Sequence, residues 1–381
     1  MAKVVPFSAL FYQPELDYQK VLAPPYDVIS PEERRTFWKL SPYNIVRVIL
    51  PKTHFQAKET FKTWLNKSVL SQDSPANFYW CRQEYTFAGS IRTNQGLIAL
   101  LRLEDPKKGI VCPHEETIPR VRQGQFQLLE EVSANFCPII TLYRDESRVI
   151  ESLVPVKKRP FLTYQDRRGV KYSLWKIPPV PAIERTFADK KVYIADGHHR
   201  YASAYQYFLK MKTTSSAYIL TYFLNSAGDD IAVLSFHRYL PKTNRKDFLA
   251  IKNSFPLSVA EPDLKTLMHN LSAGWLGLGF EGEFFRFPVP EKEDLSVSFL
   301  HQRVINEVLK FPEDHLIFEP DARALLERTR KKPGLVFFLP LLSLKSLYDI
   351  WEKKIILPRK STYFYPKIPS GLVIYKHNGI K

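Results

Sequence analysis

Proline is the strongest constraint on this chain. Twenty-nine prolines stand against fourteen glycines in 381 residues. Each proline fixes φ and removes a backbone donor. The connections are stiff ones, not flexible linkers. Between the prolines, hydrophobic residues make up 45% and aromatic residues 14% of the chain. That is ample for a packed core and argues against disorder, collagen and coiled coil.

Strand and helix patterns alternate between these breaks. Ser30-Pro31-Glu32-Glu33 carries a cap, a first-position proline and a capping-box glutamate, so a helix is expected over 31–40. Phe61, Trp64, Leu65 and Val69 form one stripe of a helix over 57–70. Strands are expected at 77–87 and 96–104, joined by a polar turn Arg92-Thr-Asn-Gln95. Further strands are expected at 138–143, 171–177, 191–195, 218–224 and 231–239, with helices at 121–133 and 200–212. A hairpin near 276–287, helices near 295–310, 320–331 and 344–353, a strand near 334–339 and an extended stretch at 371–376 complete the pattern. The class is α+β, with mixed sheets and flanking helices. The weakest cohesion falls at 145–165 and 240–265, which suggests one compact body with lobes 1–145, 146–240 and 241–381.

Charge narrows the partners. Lys and Arg number 55 against 39 Asp and Glu, a formal charge of +16. This favours anionic ligands such as phosphates, nucleotides or nucleic acid. The basic residues are spread out, and the densest clusters, Lys157–Arg159, Arg328–Lys332 and Arg359–Lys360, are short. Cys81, Cys112 and Cys137 form no zinc spacing and suit a reducing compartment. The opening residues lack the apolar stretch of a signal peptide, so a cytoplasmic location is expected.

The sharpest local signal is Lys191-Val-Tyr-Ile-Ala-Asp196-Gly197-His198-His199-Arg200. An apolar strand runs into Asp-Gly, and a helix follows. Gly197 permits a sharp turn and close approach of a ligand. A helix N-terminus offers N–H groups and a positive dipole end to a phosphate. Arg200 would add a bidentate donor, and His198 and His199 would add donors that titrate near neutrality. Asp196 beside a phosphate is repulsive unless it holds a metal ion or takes a proton. The plainer alternative is a capping Asp followed by two surface histidines.

Three other segments carry reactive side chains. Ala23-Pro-Pro-Tyr26-Asp27-Val-Ile-Ser30 is a rigid loop that can present Asp27, or serve simply as a structural corner. Cys112-Pro-His114-Glu115-Glu116-Thr117 offers His114 and Glu115 as an acid–base pair or as metal ligands with Asp196; it can equally be a polar strand end. It is not a zincin, because Ile118 stands where HExxH needs its second histidine. Near the end, Arg359, Lys360, Ser361, Thr362 and Lys367 can hold phosphate oxygens, while Tyr363, Phe364 and Tyr365 read as core. Walker A, GxGxxG, GxSxG and the kinase HRD…DFG set are absent.

Taken in order, PPYDVIS, PHEET, ADGHHRYASA and PRKSTYFYPKIPSGL resemble the motifs of the bacterial and archaeal domain of unknown function 1015, over essentially residues 1–376. The DGHHR box is similar to the DGHTR box of free serine kinases related to ParB, and more distantly to the phosphate boxes of ParB and sulfiredoxin. The resemblance implies a ParB/sulfiredoxin-like phosphate-binding element. It also implies a kinase acting on a small hydroxylated metabolite, with free L-serine foremost, ATP or pyrophosphate as donor, and Mg²⁺ as cofactor. Carried onto this chain, Asp196 binds Mg²⁺ or acts as base. Gly197, His199 and Arg200 hold the donor phosphates, and His198 neutralises charge. Glu115 or Asp27 supplies the remaining base, and Lys360, Ser361, Thr362 and Lys367 add phosphate contacts.

Departures from the pattern are a shorter stretch between about 240 and 330, Arg359 where a second proline is usual, and Tyr363 where tryptophan is usual. They keep two alternatives open: a ParB-like nucleotide-binding regulator that touches nucleic acid, and a catalytically degenerate member.

Overall fold

The computed structural model describes residues 1–377 except 88, 156, 229–230, 256–257 and 291–294. It adopts the expected α+β class, with antiparallel and parallel strand pairs and helices packed on the sheets. The chain divides into two compact units. The first holds residues 1–113, 117–231 and 366–381, and the second holds 114–116 and 232–365. The lobes sketched from composition cut the chain differently: Ile139–Tyr143 pairs with Tyr218–Asn225 across the 145/146 border.

The first unit is built on a nine-stranded sheet. Its path runs Val111–Cys112, Val192–Asp196, Ile139–Tyr143, Tyr218–Asn225, Ser90–Arg102, Phe78–Phe87, Lys171–Ile177 and Leu162–Gln165, with Val4–Val5 beside Ser90–Arg102. The middle strands are buried on both faces, as their nearly continuous apolar runs dictate. One expectation is corrected here. Arg92–Gln95 is strand, not turn, and the reversal lies at Gly89, with Phe87 opposite Ser90. Gly89 takes a φ of 79°, which the polar residues farther along do not need to adopt.

Helices cover this sheet. Pro31–Leu40 starts with the predicted capping box, Ser30 Oγ accepting from Glu33 N and a Glu33 oxygen accepting from Ser30 N. His54–Asn66 begins three residues earlier than the apolar stripe suggested, because Thr53 caps it. Pro119–Val132 and His198–Met211 pack on each other, with Ser203 Oγ donating to Arg122 O at 2.9 Å. Phe78, Trp80, Leu97, Ile139, Ile194 and Tyr201 are among the buried side chains between the layers.

The second unit has a six-stranded antiparallel sheet, ordered Val259–Glu261, Glu283–Pro288, Trp275–Phe280, Gly334–Phe338, His237–Pro241 and Ile317–Glu319. The single strand expected over 231–239 is two, Ala232–Leu234 and His237–Pro241, and the first of them pairs with Tyr363–Tyr365. Tyr239, Leu267, Leu325, Val336 and Phe338 fill its core. The helix expected over 295–310 starts as Ser296–Phe299 and continues through Leu300–Val308 as a wider π-helix. No helix among the described residues is long and apolar enough to cross a membrane.

Candidate phosphate-handling site

Val192–Asp196 pairs with Ile139–Tyr143 until Ile194 faces Thr141, and then slips so that Asp196 faces Ile140. Such a bulge re-aims the side chain at a strand end. The next residue, Gly197, has a φ of 97° and begins His198–Met211 without a side-chain cap. A Cβ at Gly197 would lie 2.6 Å from Ile139 Cγ2, so glycine is required both by conformation and by space.

Four charges meet at this corner. Asp196 Oδ2 accepts from Arg200 Nη2 at 2.6 Å, one helical turn on. Asp196 Oδ1 accepts from Lys367 Nζ at 2.5 Å. The same ammonium lies 3.4 Å from Asp27 Oδ2. Two carboxylates and two cations sum to zero, the condition under which partly buried charges are tolerated. Exposure grades across the cluster: Lys367 is 5% exposed, Arg200 12%, Asp196 15% and Asp27 22%. Asp27 is thus the most accessible of the four and has the longer contact.

Each charge is held by its own frame. Asp27 sits in the single 3₁₀ turn Tyr26–Val28, entered from Pro25. Lys367 rides a segment fixed at several points: Tyr172 Oη donates to Lys367 O, Gln83 Nε2 to Pro366 O and Gly371 N to Phe136 O. Arg200 Nη1 donates to Cys137 O at 3.1 Å and, closely, to Pro138 O. A guanidinium has five N–H donors, and three bonds to the protein leave 5 − 3 = 2. Burial works against the charge on Arg200, yet the anions beside it, Asp196 and Asp27 among them, win and hold its proton more tightly than usual. Burial, helped by the charge of Asp27, lifts the Tyr26 hydroxyl far above its ordinary range. A cavity of about 60 Å³ lies behind Arg200, between Tyr26, Gln125, Phe136 and Ser203.

The histidines differ from expectation. His199 Nε2 accepts from Ile118 N at 2.9 Å, which ties the loop before Pro119–Val132 to this helix. With Nε2 accepting, a neutral His199 carries its proton on Nδ1, so Nε2 joins two helices and Nδ1 is the nitrogen that can donate. His198 is buried.

Asp196 faces cations rather than a ready-made ligand set. Both of its oxygens are taken by cations, and among the described residues no three His, Cys, Asp or Glu side chains gather as a ligand set.

The remaining expected residues belong to the second unit and form their own network. Glu115 Oε2 accepts from Ser361 N at 3.2 Å, and Ser361 Oγ donates to Pro358 O. His114 Nδ1 accepts from Trp351 Nε1 at 3.1 Å, so its other nitrogen donates to Thr362 Oγ1, also at 3.1 Å. Lys360 Nζ lies 5.2 Å over the Phe236 ring. These hydroxyls and this carboxylate are spent on internal bonds.

Beside them is a cluster the sequence reading missed. Arg238 is fully buried, its Nε donates to His301 Nε2 at 3.3 Å, and His301 Nδ1 therefore donates to Glu313 Oε1 at 3.1 Å. Burial lowers Arg238 to about 9, and burial with Arg238 alongside lowers His301 to about 4. The signal was an arginine inside the apolar run Phe236–Leu240.

An α+β chain with a strand–glycine–helix corner and a neutral four-charge cluster is the class defined so far. By its sequence the chain belongs to the family described as protein of unknown function DUF1015, whose model matches residues 4–300. No curated protein matches it. Among solved structures it is similar to a free serine kinase variant in complex with ADP, at 14% identity over 72% of this chain and 92% of that one, with a TM-score of 0.42. A conserved hypothetical protein from Pyrococcus furiosus gives 13% identity over 72% and 93%, with a TM-score of 0.41. C-terminally truncated SbnI from Staphylococcus aureus gives 10% identity over 72% and 85%, with a TM-score of 0.40.

Proposed function

We propose that the first unit is a phosphotransferase acting on a small hydroxylated metabolite, with free L-serine as substrate and ATP or pyrophosphate as donor. The observation that carries this reading is the Asp27–Lys367–Asp196–Arg200 cluster at the uncapped start of His198–Met211. Phosphoryl transfer asks little covalent chemistry of a protein; it needs positioning and positive charge where the phosphoryl oxygens gather. Arg200, with two donors left, and the helix N-terminus meet the donor phosphates. Lys367 moves its charge from Asp27 toward the transferring group. Asp196 keeps both cations in place and is a positioning residue.

Asp27, the more exposed carboxylate, takes the acceptor's proton. The acceptor oxygen attacks the terminal phosphorus and a new P–O bond forms. The bond to the bridging oxygen breaks, and ADP or orthophosphate leaves with the electron pair. The order of the four sequence motifs supports the same reading.

The test is direct detection of O-phosphoserine by ³¹P NMR with L-serine and each donor. Turnover with one donor, reduced at least 100-fold in Asp27→Asn with folding intact, is expected. No phosphoserine from the wild type with either donor overturns the kinase assignment. Unchanged turnover in Asp27→Asn overturns the base assignment alone.

A further inference from the structure

Starting two residues after Asp27, the first unit lines a second space, a groove of about 610 Å³ open to solvent, with Arg34, Arg35, Trp38, Lys39 and Lys52 and with Ile29, Ser30, Pro31 and Leu50. It has the size of a small-molecule site. Its charge is one-sided. Arg34, Arg35, Lys39, Arg47 and Lys52 form no ion pair among the described residues. Glu33, the acid nearest in sequence, is turned back to cap Ser30.

The five cations do two jobs. Arg34 donates to Leu50 O and Pro51 O and so braces the groove wall, while Arg47, outside the lining, donates to Trp38 O and Ser41 O and holds the Trp38 backbone. Arg47 stands 4.5 Å and Lys52 5.4 Å from the centre of the Trp38 ring. The ring therefore positions cations and leaves little face for a stacked base. Arg35, Lys39 and Lys52 remain exposed. Trp38 Nε1 is a buried donor with no acceptor among the described residues, and a buried donor in that state needs an explanation.

We infer that this groove binds a compact polyanion, a chain of two or three phosphates, free or carried by a nucleoside. Three exposed cations without an ion pair among the described residues, in one concave patch, match two or three phosphate groups. A nucleic-acid strand is served by a longer track, with on the order of 6–10 phosphate contacts. Repulsion among Arg35, Lys39 and Lys52, which no ion pair among the described residues relieves, is what the ligand removes.

Intrinsic tryptophan fluorescence during titration with inorganic tripolyphosphate, ATP and a twelve-nucleotide single strand tests this. A saturable change with tripolyphosphate is expected, absent in Trp38→Phe, weakened at least tenfold in Lys39→Glu/Lys52→Glu and retained in Arg200→Ala. Equal affinity for ATP and tripolyphosphate assigns recognition to the phosphate chain, and preference for either names its source. A signal that survives both Trp38→Phe and the charge reversal, or the absence of any signal, overturns the inference. So does tighter binding of the oligonucleotide than of tripolyphosphate, which makes the patch a nucleic-acid surface. Retention in Arg200→Ala keeps this outcome separate from the fate of the kinase assignment.

Discussion

Lys367 and Asp196 stand 171 residues apart in sequence and 2.5 Å apart in space. That contact joins the strand–helix corner to a segment read from sequence only as a secondary phosphate contact. It also sets the energetics of the corner, because Lys367 is the cation shared by both carboxylates.

Replacing Lys367 by methionine keeps the length and removes the charge. Two carboxylates then share Arg200 alone. Breaking a buried ion pair from one side costs on the order of 3–5 kcal/mol, so the urea midpoint should fall clearly. In an Asp196→Asn background the same change should cost about half as much or less, since one stranded charge is gone. Equal cost in both backgrounds contradicts the coupling.

Gly197→Ala should destabilise the first unit by roughly 1–3 kcal/mol from positive-φ strain alone. The methyl group also meets Ile139 Cγ2 at 2.6 Å, which forces that strand to shift. Thermal unfolding measures the loss. An unchanged midpoint would mean that the turn relaxes freely.

Acid should weaken the second unit in a defined window. Burial, with Arg238 beside it, lowers His237 to about 4, and Leu339 N donates to its Nδ1 at 3.2 Å. Protonation destroys that acceptor. The unfolded chain binds the proton near 6.5 and the folded one only near 4, so stability is complete above pH 6.5 and falls as pH drops toward 4. The contribution is of order 3 kcal/mol. His237→Asn, which retains an acceptor, should make the stability profile between pH 7 and 5 shallower, the remaining slope belonging to His301. A parallel profile would clear His237 of the effect.

Trp351→Phe keeps an aromatic ring against His114 and deletes one N–H. His114 Nδ1 then loses its donor, at a cost of about 1–3 kcal/mol. Denaturant unfolding reads the loss, and the His114 ring resonances in NMR should change tautomer. Neither change occurring would show that the bond is not used in solution.

Local rules made much of this legible. The capping box at Ser30 and Glu33 was readable because it is written within four residues. The turn at Gly197 was readable because an apolar strand ends on Asp-Gly just before helix-forming residues. What escaped depends on distant partners. Asp27 and Lys367 are 340 residues apart, and no periodicity links them. The acceptor role of His199 is set by Ile118, 81 residues earlier. Glu115 and Ser361 were placed with Asp196 on chemistry alone, whereas the bridge between Glu115 and Leu357 draws Glu115 into the other unit. The polar run Arg92–Gln95 was misread because its neighbours along Ser90–Arg102, not its own composition, decide its conformation.

The return of the chain to the first unit at residue 366 also imposes an order in time. At 5–20 residues per second, synthesis passes from Asp196 to Lys367 in on the order of 10–30 s. Throughout that interval a nascent first unit carries Asp27, Asp196 and Arg200 without their shared ammonium. A chain released between residues 200 and 367 is left with the corner incomplete and an uncompensated negative charge. Premature termination within that interval is thereby marked chemically, since such a fragment carries a corner less stable than that of the finished molecule.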